Sequence, residues 1–226
     1  MNTRPNPVTC ATIQHGDMFA LPQAAVSGVN GQHIKTQVRK SDRARRKKFI
    51  QPKNAGFIAG HVPQDEGEII YGLIPGNFQY GDMIPLIFRE TTATEIHLST
   101  LSMNPDNVRM LIDLRADVER MLVLVSSYWQ YTDKQRVQIL LSEAAKNHNF
   151  TVRHLRIHSK VVLFWSPNDC WILSGSANLR SSDSIEQFSL IKSRDIGNTI
   201  RDTYLDLAER RGSPIGDETQ KGASEL

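Results

Sequence analysis

Cysteine is almost missing from this 226-residue chain, with Cys10 and Cys170 the only two. No disulfide framework is therefore expected, and a reducing compartment is the simpler expectation. No window comes near the roughly 18 apolar residues of a membrane span. The opening M-N-T-R-P-N-P-V-T-C lacks the continuous apolar core of a signal peptide. A cytoplasmic protein with no membrane partner is expected. Metal-binding patterns are lacking too: there is no H-E-x-x-H, no cysteine pair at zinc spacing and no carboxylate cluster around His158. Net charge is only +3, so strong attraction for a polyanion would have to be local.

The chain does have enough apolar material, 39% of its residues, to bury one sizeable core. From the middle onward strand and helix patterns alternate. Residues 95–101 read as a strand, and Asn104 or Asp106 caps a helix through 114 with Val108, Leu111, Ile112 and Leu114 on one side. Residues 120–125 form a buried strand, and Asp133 opens a helix over 134–146 with a Val137, Leu140, Leu141, Ala144 stripe. Further strands fall at 150–155, 159–164, 171–174 and 187–191, and a closing helix at 196–210. The fold class implied is α/β, a mixed, mostly parallel β-sheet with helices on both faces. Ligands of such sheets bind at strand ends and in the loops that follow. His97 is expected to be a hydrogen-bonded strand histidine. Tyr128 and Trp129, just past a strand, fit either stacking on bases or the commoner role of finishing a core. The Gly/Pro-rich stretch 72–85 reads as connecting turns.

The chemistry is concentrated in residues 156–188, R-I-H-S-K-V-V-L-F-W-S-P-N-D-C-W-I-L-S-G-S-A-N-L-R-S-S-D-S-I-E-Q-F. Alternation turns Ile157, Ser159, Val161 and Leu163 one way and His158, Lys160 and Val162 the other, so His158 and Lys160 share a face. A returning strand brings Ser176 and Asn178 beside them, and Glu186 follows. A neutral histidine attacks phosphorus when its free nitrogen is aimed and a carboxylate steadies the other. A fixed lysine and amide donors take up the charge that gathers on the phosphoryl oxygens, so no metal or other cofactor is expected.

H-x-K (His158, Lys160), G-S-x-N (Gly175, Ser176, Asn178) and Glu186 together resemble the motif of the phospholipase D superfamily. The resemblance covers roughly residues 94–211 and is specific over 158–186. It implies a phospholipase D-like half with one motif copy, hence a homodimer whose two copies face each other across one phosphate. It assigns His158 as nucleophile, His158 of the second copy as acid, and Lys160 and Asn178 as holders of the non-bridging oxygens. Ser176 would donate to phosphate or support Asn178, and Glu186 would accept from the far ring nitrogen of His158. Trp165 stands where the family places an Asp behind the catalytic pair, and Asp169 is the nearest acid.

Residues 39–48 carry seven basic side chains, Arg39, Lys40, Arg43, Arg45, Arg46, Lys47 and Lys48, against one acid. With Arg180 beside the motif they read as a phosphate-contacting surface. The expected organisation is an arm with this basic segment over 1–54, a catalytic domain over 55–211 and a disordered polar tail over 212–226. The motif fixes a phosphodiester and not what hangs on it. Charge and the missing membrane segment favour nucleic acid, DNA over RNA, and a DNA endonuclease working through a phosphohistidine. The alternatives are a degenerate dimer that binds nucleic acid without cutting, and a phospholipase or phosphatidyltransferase acting on lipid.

Overall fold

Two capping side chains fix where the central helices start. Asn104 accepts from Asn107 N at 2.8 Å ahead of Pro105–Leu114, and the Asp133 carboxylate caps Lys134–Lys146. The computed structural model describes residues 47–50, 52–180 and 184–210. Within them the strands are β1 (Lys47–Ile50), β2 (Ile69–Ile74), β3 (Glu95–Thr100), β4 (Arg120–Ser126), β5 (Phe150–Leu155), β6 (Val161–Trp165), β7 (Cys170–Gly175) and β8 (Glu186–Lys192). The α-helices are α1 (Met83–Arg89), α2 (Pro105–Leu114), α3 (Ser127–Thr132), α4 (Lys134–Lys146) and α5 (Arg194–Arg210). Boundaries expected from the sequence for α2, α4 and β5 match, and those of β3, β4, β7, β8 and α5 move by one or two residues.

All eight strands form one sheet in the order β1-β2-β8-β7-β6-β3-β4-β5. Following the pairings from strand to strand, β1, β2, β7, β3, β4 and β5 run one way, and β8 and β6 run the other. The sheet is thus mixed, with most strands sharing one direction. Alternation divides its side chains between two layers. Ile96, Leu98, Met121, Val123, Val162, Phe164, Leu173, Phe188 and Leu190 join the main core, with residues of α1, α2 and α4. On the other face Leu122 and Leu124 pack with Tyr204 and Ala208 of α5, while Leu163, Cys170 and Ile172 form a smaller cluster.

Three features depart from the sequence-based expectation. The stretch expected as turns holds the end of β2 and the whole of α1. Gly72 is there for packing: a Cβ would collide with the Phe188 ring. Pro85 sits in the first turn of α1, where its missing N–H costs no helical bond. Second, β1 lies inside the expected arm and pairs in parallel with β2, and Lys48 forms an ion pair with buried Glu68 at 3.1 Å. That ammonium is committed within the protein. Arg39, Lys40, Arg43, Arg45 and Arg46, like the tail 212–226 and Cys10, lie outside the described residues; Lys47 is exposed. Third, Trp129 is 1% exposed and belongs to the main core, which ends its reading as a base-stacking residue. Its neighbour Tyr128 is 62% exposed, as is Tyr131 one turn on at 66%.

Candidate active site

The motif residues meet at the end of the sheet where the six co-directional strands finish. β6 starts there, so His158 and Lys160 precede its first assigned residue, Val161. The ladder nevertheless continues through them: Gly175 N donates to Lys160 O at 3.2 Å, next to the Val161–Ser174 pair. Extended alternation continues as well. Ile157 and Val161 pack on the α5 side, whereas Val162 and Phe164 lie in the main core. His158 and Lys160 therefore belong to the main-core side of the sheet, above its rim.

β7 and β8 bring the rest. Leu173 and Phe188 face the main core, and Gly175 and Glu186 share their parity. Ser176 N donates to Gln187 O at 3.1 Å, Gln187 N returns a bond to Ser176 Oγ at 3.0 Å, and Ser176 Oγ donates to Glu186 Oε2. Glu186 is itself aligned with Ile74 at the end of β2. Asn178 is set by its neighbour. Leu179 makes a parallel bridge with Met103, and its carbonyl accepts from Asn104 N at 2.7 Å and Asn107 Nδ2 at 3.1 Å. Asn178 Oδ1 is buried and has no hydrogen-bond partner among the described residues. Arg180 is exposed one step beyond Leu179.

Gly175 is required by crowding. A Cβ there would lie 2.6 Å from Gln187 O and 3.0 Å from Cε2 of buried Tyr80. Sequence reading took the glycine as part of a pattern and missed Tyr80, which forms the floor behind it.

Electrostatically the site is a close pair of groups facing a carboxylate. Lys160 Nζ donates to His158 Nδ1 at 3.2 Å and to His158 O at 2.9 Å. Burial pulls the Lys160 ammonium below its usual pKa, partly opposed by the charge of Glu186. In this arrangement Lys160 occupies the ring nitrogen that the family pattern assigns to Glu186, and Glu186 holds Ser176. Among the described residues no group of three or more His, Cys, Asp and Glu side chains could hold a metal ion.

Trp165 and Asp169 lie at the opposite end of β6, about 13 Å along the strand from Val161 at ~3.3 Å per residue. Asp169 pairs with Lys192 at 2.9 Å and does not stand behind His158. Trp165 Nε1 donates to Asn198 Oδ1 at 2.8 Å, and the Arg201 guanidinium lies 4.1 Å from its ring centroid. Arg201 also makes two 2.8 Å bonds to Glu95, whose Oε2 accepts from His97 Nε2 at 2.7 Å. Where the family has an Asp, this chain has a residue that docks α5 on the sheet. His97 is a buried member of that network, as expected for a strand histidine.

By fold, then, the protein is a mixed α/β sheet protein with His158, Lys160, Ser176 and Glu186 near one end of its strands. No protein-family model matches the sequence, and no curated protein matches it. Solved structures do. Phosphatidylserine synthase from Haemophilus influenzae Rd KW20 is 14% identical over 65% of this chain and 39% of that one, with a TM-score of 0.48. Polyphosphate kinase from Porphyromonas gingivalis is 14% identical over 63% and 24%, with a TM-score of 0.46. Yeast tyrosyl-DNA phosphodiesterase is 15% identical over 54% and 32%, with a TM-score of 0.36. The chain spans between about a quarter and two fifths of the length of these proteins. Likenesses this remote leave the chemistry to the side chains. The resemblance to the phospholipase D superfamily rests on the motif residues and their placement on this sheet.

Proposed function

We propose that this protein is a metal-independent phosphodiesterase acting on nucleic acid, DNA in preference to RNA, through a phosphohistidine at His158. The observation that carries the reading is the gathering of His158, Lys160 and Glu186 on one side of one strand-end rim, with Ser176 hydrogen-bonded to Glu186. An incoming phosphodiester draws Lys160 off His158 Nδ1 onto a non-bridging oxygen, and frees the ring to be oriented by a carboxylate. His158 then attacks phosphorus and the leaving oxygen departs with a proton. His158 is exposed, and a second copy placed rim to rim would supply its own His158 as the acid that protonates the leaving oxygen. Ser176 and the Asn178 amide complete the phosphate cradle. Exposed Arg180 and the basic side chains of 39–47 draw in the polyanion.

The test is incubation of the full chain in EDTA with single- and double-stranded DNA and RNA. The expected result is cleavage, acid-labile label on His158, and loss of both in His158→Ala with nucleic-acid binding retained. Undiminished cutting by His158→Ala removes the mechanism. Binding without any product favours the non-catalytic reading. Among the described residues no helix is long and apolar enough to cross a membrane, and a lipid substrate would show as turnover of phospholipid vesicles in the same assay.

A further inference from the structure

Between His158 and Lys160 lies a residue whose side chain points the other way. Ser159 Oγ is 2.7 Å from Ser99 Oγ on β3, and Ser99 Oγ is 2.7 Å from the hydroxyl of Tyr204 on α5. Ser99 is 2% exposed and Tyr204 7%, so two of the three hydroxyls are sealed under α5. Each hydroxyl has one proton to give and can also accept, so the three form a chain in which every internal link is satisfied.

The segment needs such an anchor. Residues 157–160 carry no strand assignment, and their backbone bonds among the described residues are Ile157 N to Leu155 O at 2.8 Å and Gly175 N to Lys160 O. No backbone bond described reaches His158 or Ser159 from a neighbouring strand. What ties the middle of the segment to the sheet is the side chain of Ser159. With Ser159 drawn towards α5, extended alternation turns His158 and Lys160 outward together.

We infer that Ser99 and Tyr204 are positioning residues, which act through Ser159 to set His158 and Lys160 at the rim. The inference rests on the phosphodiesterase reading for its catalytic consequence, but its structural consequence can be read without turnover. Displacement of a reacting group by about 1 Å costs on the order of 100-fold in rate.

The experiment compares Ser159→Ala, Tyr204→Phe and Ser159→Thr with the native full chain. Ring ¹⁵N spectra of labelled histidine, with His158 identified by its absence from His158→Ala, are recorded beside cleavage kinetics and thermal melting. Expected in Ser159→Ala and Tyr204→Phe are a folded protein, a His158 signal moved towards that of free histidine, and kcat lowered roughly 10- to 100-fold at unchanged KM. Ser159→Thr keeps the hydroxyl and restores both. An unmoved His158 signal overturns the inference, whether or not the rate falls. If the native protein does not cleave at all, the phosphodiesterase reading fails, and the ring spectra alone decide the positioning role.

Discussion

Gly175 shows how closely the rim is packed at single residues. Its missing Cβ leaves room for Gln187 O, which accepts from Ser176 N, and for the buried Tyr80 ring. Gly175→Ala should destabilise by about 1–3 kcal/mol, as overpacking does, and should push β7 away from β8 where Ser176 and Glu186 meet. Denaturant unfolding and activity together check this: a variant of native stability and native rate would show that the rim yields. Residue identity is legible in the sequence wherever a short pattern carries chemistry, and spacing alone singles out His158, Lys160, Ser176 and Asn178 as candidates. It was less legible where two residues of one type differ in environment. Tyr128 and Trp129 are adjacent aromatics on α3, and tertiary packing alone puts Trp129 in the core and Tyr128 in solvent. Tyr80, some eighty positions before the motif lysine, carried no local signal at all.

Among the elements, α5 is held on the sheet by more than its apolar stripe. Burial alone would raise the Glu95 carboxyl, but the bonds from His97 and Arg201 outweigh it and bring it down to about 2. A carboxyl depressed in the folded state adds stability that is complete above its unfolded value of about 4.3, and that is lost as pH falls towards 2. With solvent screening of this ion pair allowed for, the contribution is on the order of 1 to 3 kcal/mol. Urea midpoints measured from pH 7 to pH 2 should therefore drop steeply below about pH 4. Glu95→Gln should lower stability at neutral pH and flatten that limb, and a limb of unchanged steepness would detach Glu95 from acid unfolding. The sequence disclosed α2, α4 and β5 because their capping residues and apolar periods agree with the tertiary outcome. It concealed β2 and α1, since Gly72 and Pro85 look like punctuation until Phe188 and the first turn of the helix give them another use. Trp165 looked like a lost catalytic support, whereas its partners Asn198 and Arg201 belong to a helix that no short-range pattern connects to it.

For the whole molecule, the question is what completes the rim. If two copies share one phosphate, the full chain should run at twice its 25.5 kDa mass by light scattering while active. Mixing His158→Ala with native chains should then give heterodimers of sharply reduced activity. A monomer that cleaves would separate catalysis from assembly. The sheet order has a different consequence, in time. β8, which carries Glu186, is flanked by β7 from nearby in sequence and by β2, which pairs Ile69 with Ile191 and Ile74 with Glu186. That pairing joins strands from opposite ends of the described chain. Closing so long a loop is slow compared with forming the local β6–β7 hairpin. The hairpin bearing Lys160 and Ser176 is local, and β8, the last strand among the described residues, joins it through β7 but meets β2 only across the long loop. On the proposed reading, the rim is complete only once β8 has paired with β7 and β2.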